Sequence, residues 1–333
     1  MLSGVGFTLV AVVLLALTFD FINGFHDTAN SIATSVSTRV LTPRMAIIMA
    51  STLNFLGALV SDKVAKTISK GLVNGSIEQY VIMAALIAAI TWNLITWYFG
   101  IPSSSSHALI GGLIGSSIVY AWSFQKVMWG GVWSKVVLPL ITSPIVGFIF
   151  GWLIMSVLFK LLASLSQQIV NRWFSKLQIL SAAFMAYSHG NNDAQKSMGI
   201  ITLALVSSGV ISADAGIPVW VKLAAAITIA IGTSVGGWKI IKTMGVNMIR
   251  LQPIGGFAAE TGAAIVIEAA SSLGAPVSTT HVISAAIMGV GASKRLSAVR
   301  WALARTIVWA WVFTIPVTAL IGAGVTALFK LFI

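Results

Sequence analysis

The sequence predicts an all-α polytopic membrane protein made of two inverted repeats, with broken helices and two re-entrant helical hairpins. Three observations lead to this fold class. Hydrophobic residues make up 57% of the 333 residues and charged residues only 8%, which is typical of a membrane-embedded bundle. Apolar stretches long enough to cross a bilayer recur along the chain. Short polar motifs occur twice, in the same order in each half.

The apolar stretches form two matching series, which we interpret as residues 1–163 and 177–333 joined by a short cytoplasmic linker, 164–176. The predicted segments are 5–37, 44–60, 77–121 and 135–163 in the first half, and 177–206, 219–237, 252–292 and 301–328 in the second. Polar residues interrupt the first stretch of each half, at 20–27 and at 190–193. We therefore expect a broken helix at each place.

The third stretch of each half contains a Gly-X-Pro turn, at Gly100-Ile101-Pro102 and at Gly274-Ala275-Pro276. A turn inside an apolar stretch of this length predicts a hairpin that returns to its own side of the membrane. Each half then crosses the membrane three times, so the second half is inverted relative to the first. A nearly constant spacing between the matching motifs indicates one internal duplication.

The formal net charge of +12 reflects membrane topology, because the cations are scattered between apolar segments and form no nucleic-acid-binding tract. Placing both termini outside an inner cell membrane puts most loop cations in the cytoplasm, as the positive-inside rule requires. The predicted cytoplasmic cations are Arg39, Arg44, Lys160, Arg172, Lys176, Lys239, Lys242, Arg250, Lys294, Arg295 and Arg300. Those predicted outside are Lys63, Lys66, Lys70, Lys126, Lys135 and Lys330, the first three on an interfacial helix.

Each Gly-X-Pro turn is followed by a Ser/Thr-rich motif that begins an apolar helix. Free backbone N–H groups, hydroxyls and the positive end of the helix dipole make such a place an anion site without a buried cation. The candidate anion-binding residues are Ser103, Ser104, Ser105, Ser106, Ser278, Thr279 and Thr280. The alternative is that these residues only cap their helices, but duplication of the whole motif favours a ligand.

Asp27 and Asp193 lie at matching positions inside the membrane, where a carboxylate needs a cation, a proton or a hydrogen-bond donor. Singly protonated phosphate can donate a hydrogen bond to a carboxylate and sulfate cannot, so the pair favours phosphate. Other candidates for binding a coupling ion are Asn30, Asn192 and Glu260. Each of the four histidines is a candidate proton relay or, alternatively, a packed neutral ring. They are His26, His107, His189 and His281.

The chain resembles the inorganic phosphate transporter (PiT) family, in which a Gly-X-X-Asp-X-X-Asn element occurs in both halves and Pro-Ser/Thr-rich-His elements form hairpin tips. The elements here are Gly24-Phe25-His26-Asp27-Thr28-Ala29-Asn30 and Gly190-Asn191-Asn192-Asp193-Ala194-Gln195-Lys196. The resemblance implies symport of phosphate with sodium or protons, and its proton-coupled bacterial members carry phosphate together with a divalent metal ion. His26 and Lys196, where many sodium-coupled relatives have Asn, resemble the short bacterial low-affinity branch.

We therefore expect a secondary active transporter that imports inorganic phosphate with protons, either alone or as a metal–phosphate complex. The alternatives are a sodium-coupled phosphate symporter, a sulfate permease of the same family and an anion channel. A membrane hydrolase with a Ser, His and Asp triad is disfavoured because the polar motifs are duplicated, so the chain is predicted not to be an enzyme. We expect no cofactor and no tightly bound metal. The expected partners are phosphate, a coupling cation, the lipid bilayer and a second copy of the chain in a homodimer.

Overall fold

The computed structural model of the chain describes residues 2–70, 72–73, 77–212 and 214–332. These residues are almost entirely helical, and their one β-contact is an isolated bridge between Val73 and Val127. The helices are α1 Leu2–Ser37, α2 Pro43–Ala58, α3 Lys63–Lys70, α4 Gln79–Phe99, α5 Ser105–Ala121, α6 Trp129–Val132, α7 Leu138–Leu161, α8 Gln167–Ser207, α9 Val219–Val235, α10 Trp238–Lys242, α11 Pro253–Ser272, α12 Thr279–Lys294 and α13 Trp301–Lys330.

Five of these helical segments are long and apolar enough to cross a membrane, and seven are if each bent helix pair counts as one span. A π-helical turn, Trp133–Val137, joins α6 to α7 in one of these segments. The predicted polytopic helical bundle is confirmed, and the chain is a multi-pass membrane protein. The predicted boundaries of the two repeats stay a prediction. Most of the predicted linker, from residue 167 onwards, is the beginning of α8.

The two halves follow the same order of elements. A long helix comes first (α1 and α8), then a bent pair (α2–α3 and α9–α10), a hairpin (α4–α5 and α11–α12) and a long closing helix (α7 and α13). The bends are 65° between α2 and α3 and 64° between α9 and the α10 segment. The closing helices are exchanged, because α7 packs on the hairpin of the second half and α13 on the hairpin of the first.

The predicted breaks within α1 and α8 are wrong, since both helices are continuous through residues 20–27 and 190–193. The polar side chains there bond to other side chains, for example Asn23 to Asp193 and Ser197 to Asp20. Because side chains satisfy these polar groups, the backbone carbonyls are not needed as their partners. The helices therefore keep their internal hydrogen bonds. The breaks occur instead between α2 and α3 and between α9 and α10, one helix further along each half.

Both predicted hairpins are present, and they enter the bundle from opposite ends. Gly100 ends α4 with φ 68°, and Gly274 follows α11 with φ 70°, a left-handed conformation that glycine adopts without strain. The base of the first hairpin lies beside the end of α8, because the Gln79 side chain donates to the Ala204 carbonyl at 2.9 Å. The tips meet inside the bundle, where the Ser106 hydroxyl donates to the Val277 carbonyl at 3.3 Å.

Loops that the sequence assigns to the same side of the membrane lie together at one end of the bundle. Loops assigned to the other side lie together at the opposite end. At one end, which we call the lysine end, Lys70 lies 3.7 Å from Asp214. At the other, the arginine end, the Arg300 N–H donates to the Met248 carbonyl and the Thr38 hydroxyl to the Gln178 side chain. Arg44 at the start of α2 belongs to the arginine end, because α1 ends there.

Single cysteines can test this arrangement, because the chain contains no cysteine of its own. We expect Arg44→Cys and Asp214→Cys to react with a membrane-impermeant maleimide from opposite sides of the membrane, since the two sites are at opposite ends of the bundle. Lys70→Cys is the control and should be labelled from the same side as Asp214→Cys. Labelling of Arg44→Cys and Asp214→Cys from one side would exclude the arrangement.

Candidate functional site

A seam of polar side chains runs between α1 and α8, which pack along each other in opposite directions. On α1, polar residues recur every three or four positions and so lie on one face of the helix. The seam is buried, apart from its half-buried end at Thr38. The donor and acceptor pairs along it are Ser197 with Asp20 at 2.8 Å, Asn23 with Asp193 at 3.4 Å and Thr38 with Gln178 at 2.8 Å.

Asp27, in the middle of the seam, connects both hairpin tips. Its carboxylate is 2.6 Å from Nδ1 of His26, and it accepts from the hydroxyls of Ser105 at 3.5 Å and Thr280 at 3.3 Å. The residue is only 3% exposed. Asn30 extends the network by donating to the Thr280 hydroxyl at 2.9 Å. One carboxylate of the first half therefore holds a hydroxyl from each hairpin.

Asp193, the matching carboxylate of the second half, has different partners. Its Oδ1 lies 2.6 Å from Nζ of Lys196, and its Oδ2 lies 3.4 Å from the Asn23 amide nitrogen and 3.5 Å from Nε2 of His189. The His189 ring is held on its other side by Asn54, whose Oδ1 is 3.1 Å from Nδ1. Asp193 is therefore surrounded by donors of the protein itself.

The two predicted carboxylates meet in one centre. Single ligand atoms of Asp27, His189 and Asp193 all lie within 4.8 Å of one another, and all three residues are buried. Two carboxylate oxygens and one imidazole nitrogen are ligands that suit a divalent metal ion. The duplicated motifs of the two halves thus form one site.

The hairpin tips place two helix N-termini at this centre. The side chain of Ser104 accepts from the His107 N–H, and that of Ser278 accepts from the His281 N–H, both at 3.2 Å. These two serines are N-caps, as the capping alternative proposed. The following hydroxyls, Ser105 and Thr280, remain directed at Asp27. The partial positive charge of both helix ends therefore points into the same region.

Three other predicted residues, Ser103, Thr279 and Asn192, form hydrogen bonds that support the hairpins. The Ser103 hydroxyl donates to the Thr96 hydroxyl at 2.8 Å and lies 3.4 Å from Nε2 of His26. Thr279 accepts from the Asn30 amide at 3.2 Å. The Asn192 amide donates to the Ser271 hydroxyl on α11 at 2.8 Å, so it braces the second hairpin.

Glu260 lies on the seam, but apart from the paired aspartates. Its carboxylate accepts from Thr34, Ser181 and, at 3.2 Å, the Gln178 amide. Thr34 is two turns from Asp27 on α1, a distance of about 10 Å along the helix axis. Glu260 therefore belongs to a second buried acidic position on the arginine side of the centre.

The two histidines of the tips pack against each other and not against a carboxylate. The ring centroids of His107 and His281 are 4.9 Å apart, and His281 stacks on Trp311 at 4.1 Å. The Trp311 indole N–H donates to the Pro102 carbonyl at 3.1 Å. Trp311 of the closing helix thus joins the second tip to the first.

The polar network also contains Asp20, Asn23 and Thr96, which the duplicated motifs did not predict. The spacing of Asp20, Asn23, Asp27 and Asn30 along α1 was the available signal, since residues three and four apart share a helix face. Thr96 carried no such signal, because α4 reaches His26 only through the packing of the hairpin.

A multi-pass bundle with hairpin tips that meet at a buried charged centre has the architecture of a membrane transporter. A model of the Phosphate transporter family matches residues 23–322. The chain is similar to the probable low-affinity inorganic phosphate transporter of Bacillus subtilis, with 48% identity over 320 residues that cover 94% of this chain and 95% of that one. Its similarity to the protein of the same description in Rhizobium meliloti is 48% identity, covering 95% of this chain and 94% of that one.

A solved structure, "The sodium-dependent phosphate transporter", is similar with a TM-score of 0.87 and 27% identity, covering 98% of this chain and all of that one. The chain belongs to the phosphate transporter family, so it is a transporter and not an enzyme. These findings confirm the predicted family and the predicted class of protein.

Trp311 offers a test of how the tips are held. We expect Trp311→Phe to keep the ring stack on His281 but to leave the buried Pro102 carbonyl without its donor, which lowers stability by about 1–3 kcal/mol. Thermal unfolding of the purified protein would measure this. The control is Trp309→Phe, because Trp309 stacks on Phe313 at the exposed surface of the same helix. Equal stability of the two variants would mean that Trp311 does not hold the tips.

Proposed function

We propose that the chain imports inorganic phosphate by symport with protons. The observation that carries this proposal is the position of Asp27, which accepts hydroxyl groups from both hairpin tips at one buried centre. A carboxylate there occupies the hydrogen-bond donors that would otherwise bind an oxyanion. A phosphate that enters the site replaces Asp27 as the acceptor and bridges the two tips.

The tips supply what a tetrahedral oxyanion requires. Two helix N-termini offer backbone N–H groups and partial positive charge, and the hydroxyls of Ser105 and Thr280 add directional donors. Each hydroxyl belongs to a different half of the chain. Closing or opening the contact between the tips therefore changes access to the anion from the two sides of the membrane.

Phosphate fits the carboxylates better than sulfate does, because singly protonated phosphate can donate a hydrogen bond to an aspartate. Membership of the phosphate transporter family and the names of the relatives in Bacillus subtilis and Rhizobium meliloti support the same substrate. A divalent metal ion carried with phosphate would find ligand atoms in Asp27 and His189, and in Asp193 only where it displaces a protein donor such as the Lys196 ammonium from that carboxylate. Such an ion would be part of the cargo.

Protons are the proposed coupling ion, because Asp27 and a bound dianion cannot both stay bare in a low-dielectric interior. A proton on Asp27 removes the repulsion and frees its two hydroxyl partners for the anion. His26, 2.6 Å from Asp27, is placed to exchange that proton. Glu260 offers a second proton-binding position nearer the arginine end, which we propose faces the cytoplasm.

Sodium coupling is the second candidate, and one finding favours it. The similar solved structure is described as the sodium-dependent phosphate transporter, and it matches nearly the whole chain. In that case a sodium ion at Asp27 would take the place of the proton.

Reconstituted vesicles separate these candidates. We expect the purified protein to accumulate radiolabelled phosphate under a proton gradient without sodium, and excess sulfate not to compete. Accumulation that requires a sodium gradient and persists when the proton gradient is collapsed would establish the second candidate. Strong competition by sulfate would contradict the choice of substrate.

The hydroxyls at the tips should set the affinity for phosphate. Replacing Ser105 or Thr280 with Ala removes one hydrogen bond to a charged ligand, which lowers affinity roughly ten- to a hundredfold for a loss of about 1.5–3 kcal/mol. The control is Ser117→Ala, a buried serine further along the same helix as Ser105. Calorimetric titration with phosphate would measure the affinities, and unchanged binding by both tip variants would remove the tips from the site.

The charge of Asp27 should be needed for coupling more than for folding. We expect Asp27→Asn to insert and fold but to lose gradient-driven accumulation, while retaining slow phosphate exchange. Asp62→Asn is the matched control, because Asp62 pairs with Lys66 and Lys222 near the surface. Vesicle uptake and exchange assays would measure both activities. Full accumulation by Asp27→Asn would defeat the carboxylate mechanism.

A further inference from the structure

Lys196 is a lysine buried completely inside the bundle. Its side chain is 1% exposed, and it is among the largest fully buried side chains of the described residues. Its ammonium lies 2.6 Å from Oδ1 of Asp193, one helical turn away. Burying an ammonium group is costly unless a close partner compensates for it, so the pair needs an explanation beyond packing.

The duplicated motif shows which residue the first half has at this position. Aligning Asp27 with Asp193 places Asn30 opposite Lys196, because each residue follows its aspartate by three positions. Asn30 is neutral and donates to the hydroxyls of Thr279 and Thr280 on the opposite hairpin. Lys196 instead turns back to the aspartate of its own helix. The two halves of the centre therefore differ by one positive charge.

This charge lies against a carboxylate oxygen, where a bound cation would also lie. Calcium, for example, lies about 2.3–2.6 Å from its oxygen ligands, and Nζ of Lys196 lies 2.6 Å from Oδ1 of Asp193. The other oxygen, Oδ2, faces the Asn23 amide and the His189 ring. Asp193 thus has a protein donor at each oxygen. The partners of Asp27, in contrast, include the two tip hydroxyls to which the proposed anion would bind.

We propose that Lys196 is a tethered cation that takes the place of one mobile coupling cation in the second half of the site. It is a specificity-determining residue, because it lets Asp193 stay charged without sodium. This inference rests on the proposed symport function. It makes the chain move one coupling cation fewer per phosphate than a version with a neutral residue at position 196.

The test replaces Lys196 with the residue of the matching position in the first half. Lys196→Asn removes the tethered charge, so Asp193 should recruit sodium. We expect phosphate uptake by the variant to require one sodium ion more per phosphate than uptake by the wild type, measured as the ratio of transported sodium to transported phosphate. We also expect sodium, but not the larger cation choline, to raise its melting temperature.

Lys222→Asn is the matched control, because Lys222 also pairs with an aspartate, Asp62 at 3.1 Å, but lies at the lysine end of the bundle. It should show no added sodium requirement. Lys196→Gln serves as a second variant with a longer neutral side chain, and the same sodium response is expected of it. Folded Lys196→Asn or Lys196→Gln with the sodium response of the wild type would overturn the proposal.

The wild-type protein supplies the reference value for the variants. Sodium titration of its melting temperature and phosphate affinity gives the number of sodium ions that the wild type binds, and the same number in Lys196→Asn would also overturn the proposal. If wild-type uptake proves to be driven by sodium, the proposed coupling ion is wrong. The inference about Lys196 would still be decided by the difference of one sodium ion between the wild type and Lys196→Asn.

Discussion

The structure depends on one constraint, which is that a carboxylate buried in a membrane-spanning bundle must be given donors by the protein. Each buried carboxylate here takes at least one donor from another helix. Asp20 and Asp193 bind across the contact between α1 and α8, through Ser197 and Asn23. Asp27 reaches the hairpin tips, and Glu260 on α11 reaches α1 and α8. Satisfying these acids therefore fixes how the two long helices and both hairpins are arranged around one centre.

The same constraint links structure to transport. In this arrangement Asp27 accepts the tip hydroxyls that the proposed anion would need. In the proposed function, an anion replaces the contact that holds the tips together, and protonation or cation binding at Asp27 weakens that contact. Under this proposal, binding of the anion and binding of the coupling ion depend on each other, as symport requires. Asp27 and Asp193 occupy matching positions but have different partners, which are the tip hydroxyls for Asp27 and Lys196 for Asp193.

The exchange of closing helices makes the halves interdependent. Helix α13 covers the first hairpin and α7 covers the second, and Trp311 of α13 contacts both tips through Pro102 and His281. Each hairpin is therefore packed against the closing helix of the other half. Small residues at these contacts, such as Gly115 against Ala319 and Gly151 against Ala286, allow the close approach of helices.

The sequence by itself determined the membrane class, the order of the helices, the two hairpins and the identity of the paired aspartates. Composition, turn residues and motifs that occur twice can all be read directly from a linear chain. Only the tertiary structure decided that α1 and α8 stay continuous, because their polar residues are satisfied by distant side chains such as Asn23 and Ser197. It also decided that Lys196 pairs with Asp193 while Asn30 binds the opposite hairpin. These choices depend on which donors lie within about 3 Å of a buried acceptor, and that distance is set by packing between helices far apart in sequence.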